Sequence, residues 1–424
     1  MNPKSQLINT GWFFKPGHTI AESAFDIQDC EQITLPHNAV DVPLNYFDET
    51  KLHQTFSYYY PLTCSEADLS SQWLMKFDGA LCDSRVYVNG QLALTHHDGY
   101  TPFEVRLTPF LKAGDNLISV LLSGVENPEI PPFGGRIDFL CFPGIYRDVF
   151  LTRHDDIRIK NIKIETKNVL IQPEVTVDVR LETFNNSAAD GEISLSLIDP
   201  CGTTLTTKTI PMTSQQEHVC STFVLSDGKL WDCDNPQLYS IHCELSSPNA
   251  TDCYRARFGI REACFNTDGF YLNGQRLQLT GINRHQSYPY IGYAMGKSGQ
   301  EFDAEVIKYD YGFNLVRTSH YPQSSHFLNR CDEIGLLVFE EIAGWQHVGD
   351  EHWQKKSLVN VQGMIERDWN HPSIILWGVR VNESADYHQF YSQSNKLARE
   401  LDPSRQTGGV RCIQDSEFLE DVYT

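Results

Sequence analysis

The sequence predicts a multidomain chain: a β-sandwich, an immunoglobulin-like β-sandwich, and an incomplete (β/α)8 TIM barrel. Three observations carry this reading. Residues 1 to about 155 run as strands and turns with no amphipathic helix of convincing length. Residues 156–262 give shorter strands at the spacing of a second sandwich. From residue 263 onward strands alternate with helices, which reads as a parallel sheet covered by helices. The expected domains are therefore 1–155, 156–262 and 263–424.

The clearest element of the first region is RVYVNGQLALT, residues 85–95. Its Asn89-Gly90 pair suits a type I′ turn, in which both central residues take positive φ. In the second region VTVDVRLETF (175–184) alternates with period two, so one face is apolar. ISLSLID (193–199) and STFVLS (221–226) follow, and LWDCDNPQLYSIHCEL (230–245) is a turn leading into another alternating strand.

The third region opens with FYLNGQRLQLTGINRH (270–285), a hairpin running into a strand. FNLVRTSH (313–320), LLVFEEI (336–342), SIILWGV (373–379) and TGGVRC (407–412) read as further strands. Between them, 324–334, 358–369 and 387–401 read as helices; in the second, apolar residues recur at 358, 361, 365 and 369. A complete eightfold barrel needs roughly 250 residues. The stretch from 263 to 424 is shorter, so the barrel is expected to be cut short.

Composition removes several function classes. Lys plus Arg is 34 against 55 Asp plus Glu, a net charge of −21, which repels nucleic acid. The start, MNPKSQLINTGWFFKPG, has no apolar leader core, and no run of 18 apolar residues occurs, so neither a leader nor a membrane span is expected. The 12 Cys are scattered without a Cys-x-x-Cys pair, which fits reduced thiols in a cytoplasm better than a disulfide framework or a zinc site.

In a β/α barrel the working residues sit at the C-terminal ends of the strands. Here those ends carry Asn283, Arg284 and His285, then Arg317, Ser319, His320 and Tyr321, then Glu340 and Glu341 with Trp345 and His347, then Asn382 and Glu383. Each alone also fits a structural role: Arg317 pairing a barrel carboxylate, His320 satisfied near a turn, Glu340 or Glu341 solvated. Together, at four successive strand ends, they suit a neutral polyhydroxylated ligand. Hydroxyls need directional donors and acceptors, and sugar faces need aromatic walls.

LPHNAV (35–40), GYTPFEVRL (99–107), FPGIYRDV (142–149), GINRHQSYPY (281–290), VRTSHYP (316–322), CDEIGLLVFEE (331–341) and NHPSIILW…NES (370–384) together resemble glycoside hydrolase family 2, the β-galactosidase and β-glucuronidase family. The resemblance is to the β-galactosidase-type members and spans the whole chain. It implies an N-terminal sugar-binding jelly roll and a carbohydrate substrate, and it carries the family's frequent homo-oligomerisation as an expectation. It assigns Glu383 as general acid/base and Asn382 as the contact to the sugar 2-hydroxyl. His285 and His320 would line the sugar subsite, and Arg317 would lie near the nucleophile. Asp138, six residues before Gly144, matches an aspartate that reaches from the jelly roll to bind sugar hydroxyls. The implied reaction is retaining hydrolysis of a β-galactoside, with a second carboxylate about 5–5.5 Å from the first. Glu383 would have to start the reaction protonated.

Three departures from the family pattern shape further expectations. The family's nucleophile lies on the seventh barrel strand; Asp415, Glu417, Glu420 and Asp421 do not sit in its motif, so the 424-residue chain is expected not to turn over glycosides alone. Some β-galactosidases hold magnesium through a Glu-x-His pair; His347 matches the histidine but Trp345 takes the carboxylate position, so no metal or other cofactor is expected. Finally, one extra residue separates Trp377 from Asn382-Glu383. That predicts a bulge near Gly378–Val381 to keep Glu383 inward, with Arg380 pairing Glu340 or Glu341 or, alternatively, contacting an acidic sugar. The alternatives are a β-glucuronidase or galacturonidase, a β-mannosidase, or a non-catalytic carbohydrate-binding protein.

Overall fold

The computed structural model describes residues 4–21, 27–184 and 189–424; residues 1–3 of the segment read above for a leader lie outside it. In the N-terminal region a six-stranded antiparallel sheet faces a four-stranded one. The first runs Glu31–Ile33, Trp12–Pro16, Thr55–Cys64, Gly114–Ser123, Asp83–Val88, Gln91–His96. The second runs Ser5–Leu7, Val149–His154, Gln72–Phe77, Phe103–Arg106. Trp12, Tyr58, Val86 and Val120 from one sheet meet Met75, Phe77, Val105 and Leu151 from the other in one core. The hairpin turn forms at the expected place, with φ of 51° at Asn89 and 79° at Gly90.

The middle region is also a sandwich. Ile157–Lys167, Glu174–Thr183 and His218–Val224 pack on Thr204–Met212, Gly191–Ile198, Tyr239–Ser247 and Ala250–Phe258. Period-two alternation sends Val175, Val177, Val179 and Leu181 to a core shared with Ile193, Leu195 and Leu197. Strand Thr204–Met212 was not anticipated. It is an edge strand with only Met212 buried, so it carries no alternating apolar signal.

A three-stranded meander, Ala263–Asn266, Gly269–Leu272 and Gln275–Arg276, leads into the barrel sheet. Six parallel strands follow in chain order: β1 Gly281–Asn283, β2 Leu315–Arg317, β3 Leu337–Glu341, β4 Ile374–Gly378, β5 Gln406–Gly409 and β6 Val422–Tyr423. Helices α1 Lys297–Glu305, α2 Ser325–Ile334, α3 Glu351–Asp368 and α4 His388–Leu401 lie between β1 and β5. Val316, Val338 and Trp377 pack under the helices. Leu315, Leu337, Phe339 and Leu376 pack on the other side of the sheet with Phe270 of the meander.

Helix α1 was missed because KSGQEFDAE buries only Gln300 and Ala304 and shows no apolar stripe. Helix α3 starts at Glu351 rather than 358, where Asp350 accepts hydrogen bonds from the His352 and Trp353 N–H groups. Strand β5 begins one residue earlier than expected and ends at Gly409. The two-residue β6 was not anticipated.

Candidate active site

The site is built at the C-terminal ends of β1 to β4. Residues alternate across β3, so the paired Glu340 and Glu341 face opposite ways. Glu341 is buried and takes Arg317 in a two-point contact, with Nε to Oε2 at 2.9 Å and Nη2 to Oε1 at 2.9 Å. Its Oε1 is also 2.7 Å from His320 Nδ1. Arg317 Nη2 reaches across to donate to Asn382 Oδ1 at 2.7 Å. One carboxylate therefore orients the arginine, the histidine and, through the arginine, the asparagine.

Glu340 faces the helices and accepts from Arg367 Nη2 at 3.0 Å. Burial, followed by the nearby Asp368 charge, pushes its carboxyl well above the usual range. Neither Glu340 nor Glu341 is solvated.

His285 ends β1. Its Nδ1 is 3.1 Å from the hydroxyl of buried Tyr321. The His285 and His320 rings stand edge to face, 5.5 Å apart. Phe139, from the long loop between Ser123 and Val149, packs 5.7 Å from His285 and 6.0 Å from His320. Asp138, beside it in the chain, is exposed. Desolvation by these neighbours, then the His320 charge, pushes His285 down to about 4, with Asp138 pulling the other way. The loop thus brings Asp138 within electrostatic range of His285.

Glu383 follows Asn382, and its backbone is left-handed with φ 56°. For a residue with a Cβ this costs about 1–2 kcal/mol. The conformation is held by the Glu383 N–H to Val410 O bond of 3.0 Å. Its carboxylate is half-buried and accepts from Gln346 Nε2 at 3.3 Å. The backbone of Asn382 bridges to Trp345, and its carbonyl accepts from the Gln346 N–H at 2.7 Å.

Two sequence expectations need correcting. The register shift lies between Ile374 and Leu376, opposite Val338 and Phe339, upstream of the predicted Gly378–Val381. β4 ends at Gly378, and Val379 and Val381 continue into the core under the helices. Gly378 faces Glu341 so closely that a Cβ would collide with it. Arg380 pairs neither Glu340 nor Glu341, because Arg367 and Arg317 already hold those carboxylates. It binds Asp386 at 2.6 Å instead.

His347 sits against Gly134 and Gly135, where no Cβ would fit, and edge-on to Trp353 at 5.9 Å. Among the described residues no three His, Cys, Asp or Glu side chains are grouped to hold a metal.

The structure therefore gathers Arg317, His320 and Asn382 into one hydrogen-bonded group. His285 packs against His320, Asp138 lies near His285, and Glu383 follows Asn382 on the same turn. Glu341 and Tyr321 stood among the strand-end residues without an assigned role, and sequence reasoning did not name Phe139 or Gln346. The Glu340-Glu341 pair was a usable signal, since alternation turns one of two neighbours inward. Phe139 and Gln346 lie on loops, where no periodicity marks them.

Three family models match the chain in succession. They are described as Glycosyl hydrolases family 2, sugar binding domain, over 14–155; Glycosyl hydrolases family 2, over 157–261; and Glycosyl hydrolases family 2, TIM barrel domain, over 265–422. The chain is 47% identical to a β-galactosidase of Thermoanaerobacterium thermosulfurigenes, covering 98% of this chain and 59% of that protein. It is 40% identical to a β-galactosidase of Thermoanaerobacter pseudethanolicus, covering 98% and 57%. A solved β-glucuronidase structure from Parabacteroides merdae superposes with a TM-score of 0.88 at 25% identity, covering 99% of this chain and 56% of that one. The chain thus spans less than two thirds of the relatives it matches. With all three domain models matched in order, this chain belongs to family 2 of the glycosyl hydrolases.

Proposed function

We propose that these residues are the substrate-binding and acid/base portion of a retaining β-galactosidase. The observation that carries the reading is the position of Glu383 beside Asn382, which Arg317 holds in register with His320 and Glu341. Identities of 47%, 40% and 43% to proteins named β-galactosidase support the sugar. The division into 1–155, 156–262 and 263–424 is part of the proposal, supported by the successive domain matches.

In this reading Glu383 protonates the departing glycosidic oxygen and then removes a proton from the attacking water. Asn382 orients the 2-hydroxyl, and Asp138 with His285 and His320 binds the remaining hydroxyls. Glu341 is a poor nucleophile. Its two oxygens are engaged by Arg317 and His320, and it is buried. The second carboxylate comes from outside these 424 residues, so the chain alone does not turn over.

Proteins named β-glucuronidase among the relatives and solved structures give the second reading. Arg380 does not favour it, because its side chain is fully buried and its Nη2 is held by Asp386 and Ser416, leaving no exposed surface for a uronate. All twelve cysteines are free, which supports a reducing cytoplasmic location as a companion proposal; homo-oligomerisation is another, readable by sedimentation.

The test is hydrolysis of nitrophenyl β-galactoside and β-glucuronide by the full-length protein. The galactoside should be preferred, and Glu383→Gln should lower kcat/KM for a poor leaving group by about 10²–10⁴-fold. Calorimetric sugar binding without hydrolysis would favour a non-catalytic binding protein instead.

A further inference from the structure

Arg380 lies three residues before Glu383, and its side chain has no exposed surface. Its Nη2 group donates to Asp386 Oδ1 at 2.6 Å, to the carbonyl oxygens of Ser384 at 3.1 Å and Ala385 at 3.3 Å, and to Ser416 Oγ at 3.1 Å. The Tyr391 ring covers the guanidinium at 4.6 Å, and the Tyr391 hydroxyl is hydrogen-bonded to Ser384 Oγ. Glu420, held by Arg411, lies 4.0 Å from Nη1. Nε and Nη1 have no hydrogen-bond partner among the described residues.

The bonds Arg380 does make point one way. They fasten the turn just after Glu383, residues 384–386, to the segment around Ser416. The main chain of Glu383 is tied to the same excursion after β5, through its N–H to Val410 O at 3.0 Å and through Cys412 Sγ to its carbonyl at 3.4 Å. Asp386 is pushed down to about 2 by the Ser416 hydroxyl, the Glu417 N–H and Arg380, so it stays charged. A packing role alone would be filled as well by an apolar side chain of similar volume, without the cost of burying a charge.

We propose that Arg380 is a positioning residue for Glu383: its buried guanidinium, anchored on Asp386 and Ser416, clamps the turn that carries the carboxyl. The inference rests on Glu383 being the acid/base. A general acid has to stay within hydrogen-bond reach of the glycosidic oxygen, and later of water. Loosening the turn therefore slows the steps that move a proton more than those that do not. An alkyl galactoside needs its leaving oxygen protonated; a dinitrophenolate leaves unaided. Azide attacks the glycosyl-enzyme without a base, whereas water needs one.

The test uses the full-length protein with Asp386→Asn, Ser416→Ala and Arg380→Lys, and Glu383→Gln as reference. kcat/KM is measured on alkyl and dinitrophenyl β-galactosides, and dinitrophenyl turnover is followed with added azide. The expected result is that Asp386→Asn and Arg380→Lys lower the alkyl substrate at least tenfold more than the dinitrophenyl one. Azide should partly restore turnover, and should do so more strongly for Glu383→Gln. Should Arg380→Lys not fold, Asp386→Asn and Ser416→Ala, at the outer end of the clamp, decide the matter. Equal loss on both substrates, with no azide effect, would overturn the positioning role while leaving Glu383 in place. No leaving-group dependence in Glu383→Gln itself would overturn the acid/base reading, and this inference with it.

Discussion

At the scale of single residues, Glu341 is the hinge of the site. It is buried, and it orients Arg317 and His320 at once. Replacing it by Ala leaves a largely buried guanidinium unpaired, which costs about 3–5 kcal/mol. Urea unfolding of Glu341→Ala should show that loss as a lower midpoint at unchanged slope. His285 gives a pH prediction. The residue as a whole is exposed, but its ring packs against Phe139, His320 and Tyr321, and desolvation there holds it down to about 4 from an ordinary value of 6.5. Between about pH 6.5 and 4 the unfolded chain therefore takes up a proton that the folded chain does not, and stability falls as pH falls through that window. Half-buried His37, also near 4, adds to the same trend. The His285 ring resonance should not titrate above pH 5, and His285→Phe should flatten the acid-side loss. The strand-end residues were legible in the sequence because strand ends are where barrel chemistry sits. Their division of labour was not. Arg284, between Asn283 and His285, turns away to bind Asp303 of α1, a helix the apolar pattern did not reveal.

At the scale of elements, legibility followed burial. Most strands and helices with one apolar face were read within a few residues, although α3 starts seven residues before the expected 358. Elements without such a face, Thr204–Met212 and α1, were not. The bulge shows the limit of counting residues. An extra residue in NHPSIILWGVRVNES demands a parity correction, but sequence does not say where. The structure places the register shift at Ile374–Leu376 and then turns Glu383 by a left-handed residue. The end of α2 offers a sharper test. Gly335 takes φ 73° and lies against the backbone of Cys233 in the middle sandwich, so a Cβ there meets both strain and a main-chain carbonyl. Gly335→Ala should destabilise by more than about 1 kcal/mol, read as a lower Tm, because the left-handed penalty alone is about that size.

At the scale of the whole molecule, the two sandwiches act as supports for the barrel. Arg147, in the motif FPGIYRDV, donates to Tyr100 O at 2.6 Å within its own domain and to Gln286 Oε1 at 3.1 Å and Pro322 O at 2.8 Å in the barrel. Trp353 of α3 donates to Phe133 O at 2.9 Å, fixing the loop that delivers Asp138 and Phe139. From the middle sandwich, Trp231 donates to Asp332 O at 2.8 Å and Arg261 to Ile374 O at 2.6 Å. Domain order was readable from changes of period along the chain. These docking contacts were not, since they run between single side chains and distant carbonyls. Among the described residues β6 pairs only with β5, and Val422 and Tyr423 border a cavity of about 650 Å³ shared with Phe265 and Phe270 of the meander. In the proposed function Glu383 works with a second carboxylate contributed from beyond these residues. The most direct measurement is nitrophenyl β-galactoside turnover by residues 1–424 alone beside the full-length protein. The expectation is turnover only in the full-length protein, lowered for poor leaving groups by Glu383→Gln. Turnover by residues 1–424 alone, lost on Glu383→Gln, would contradict it.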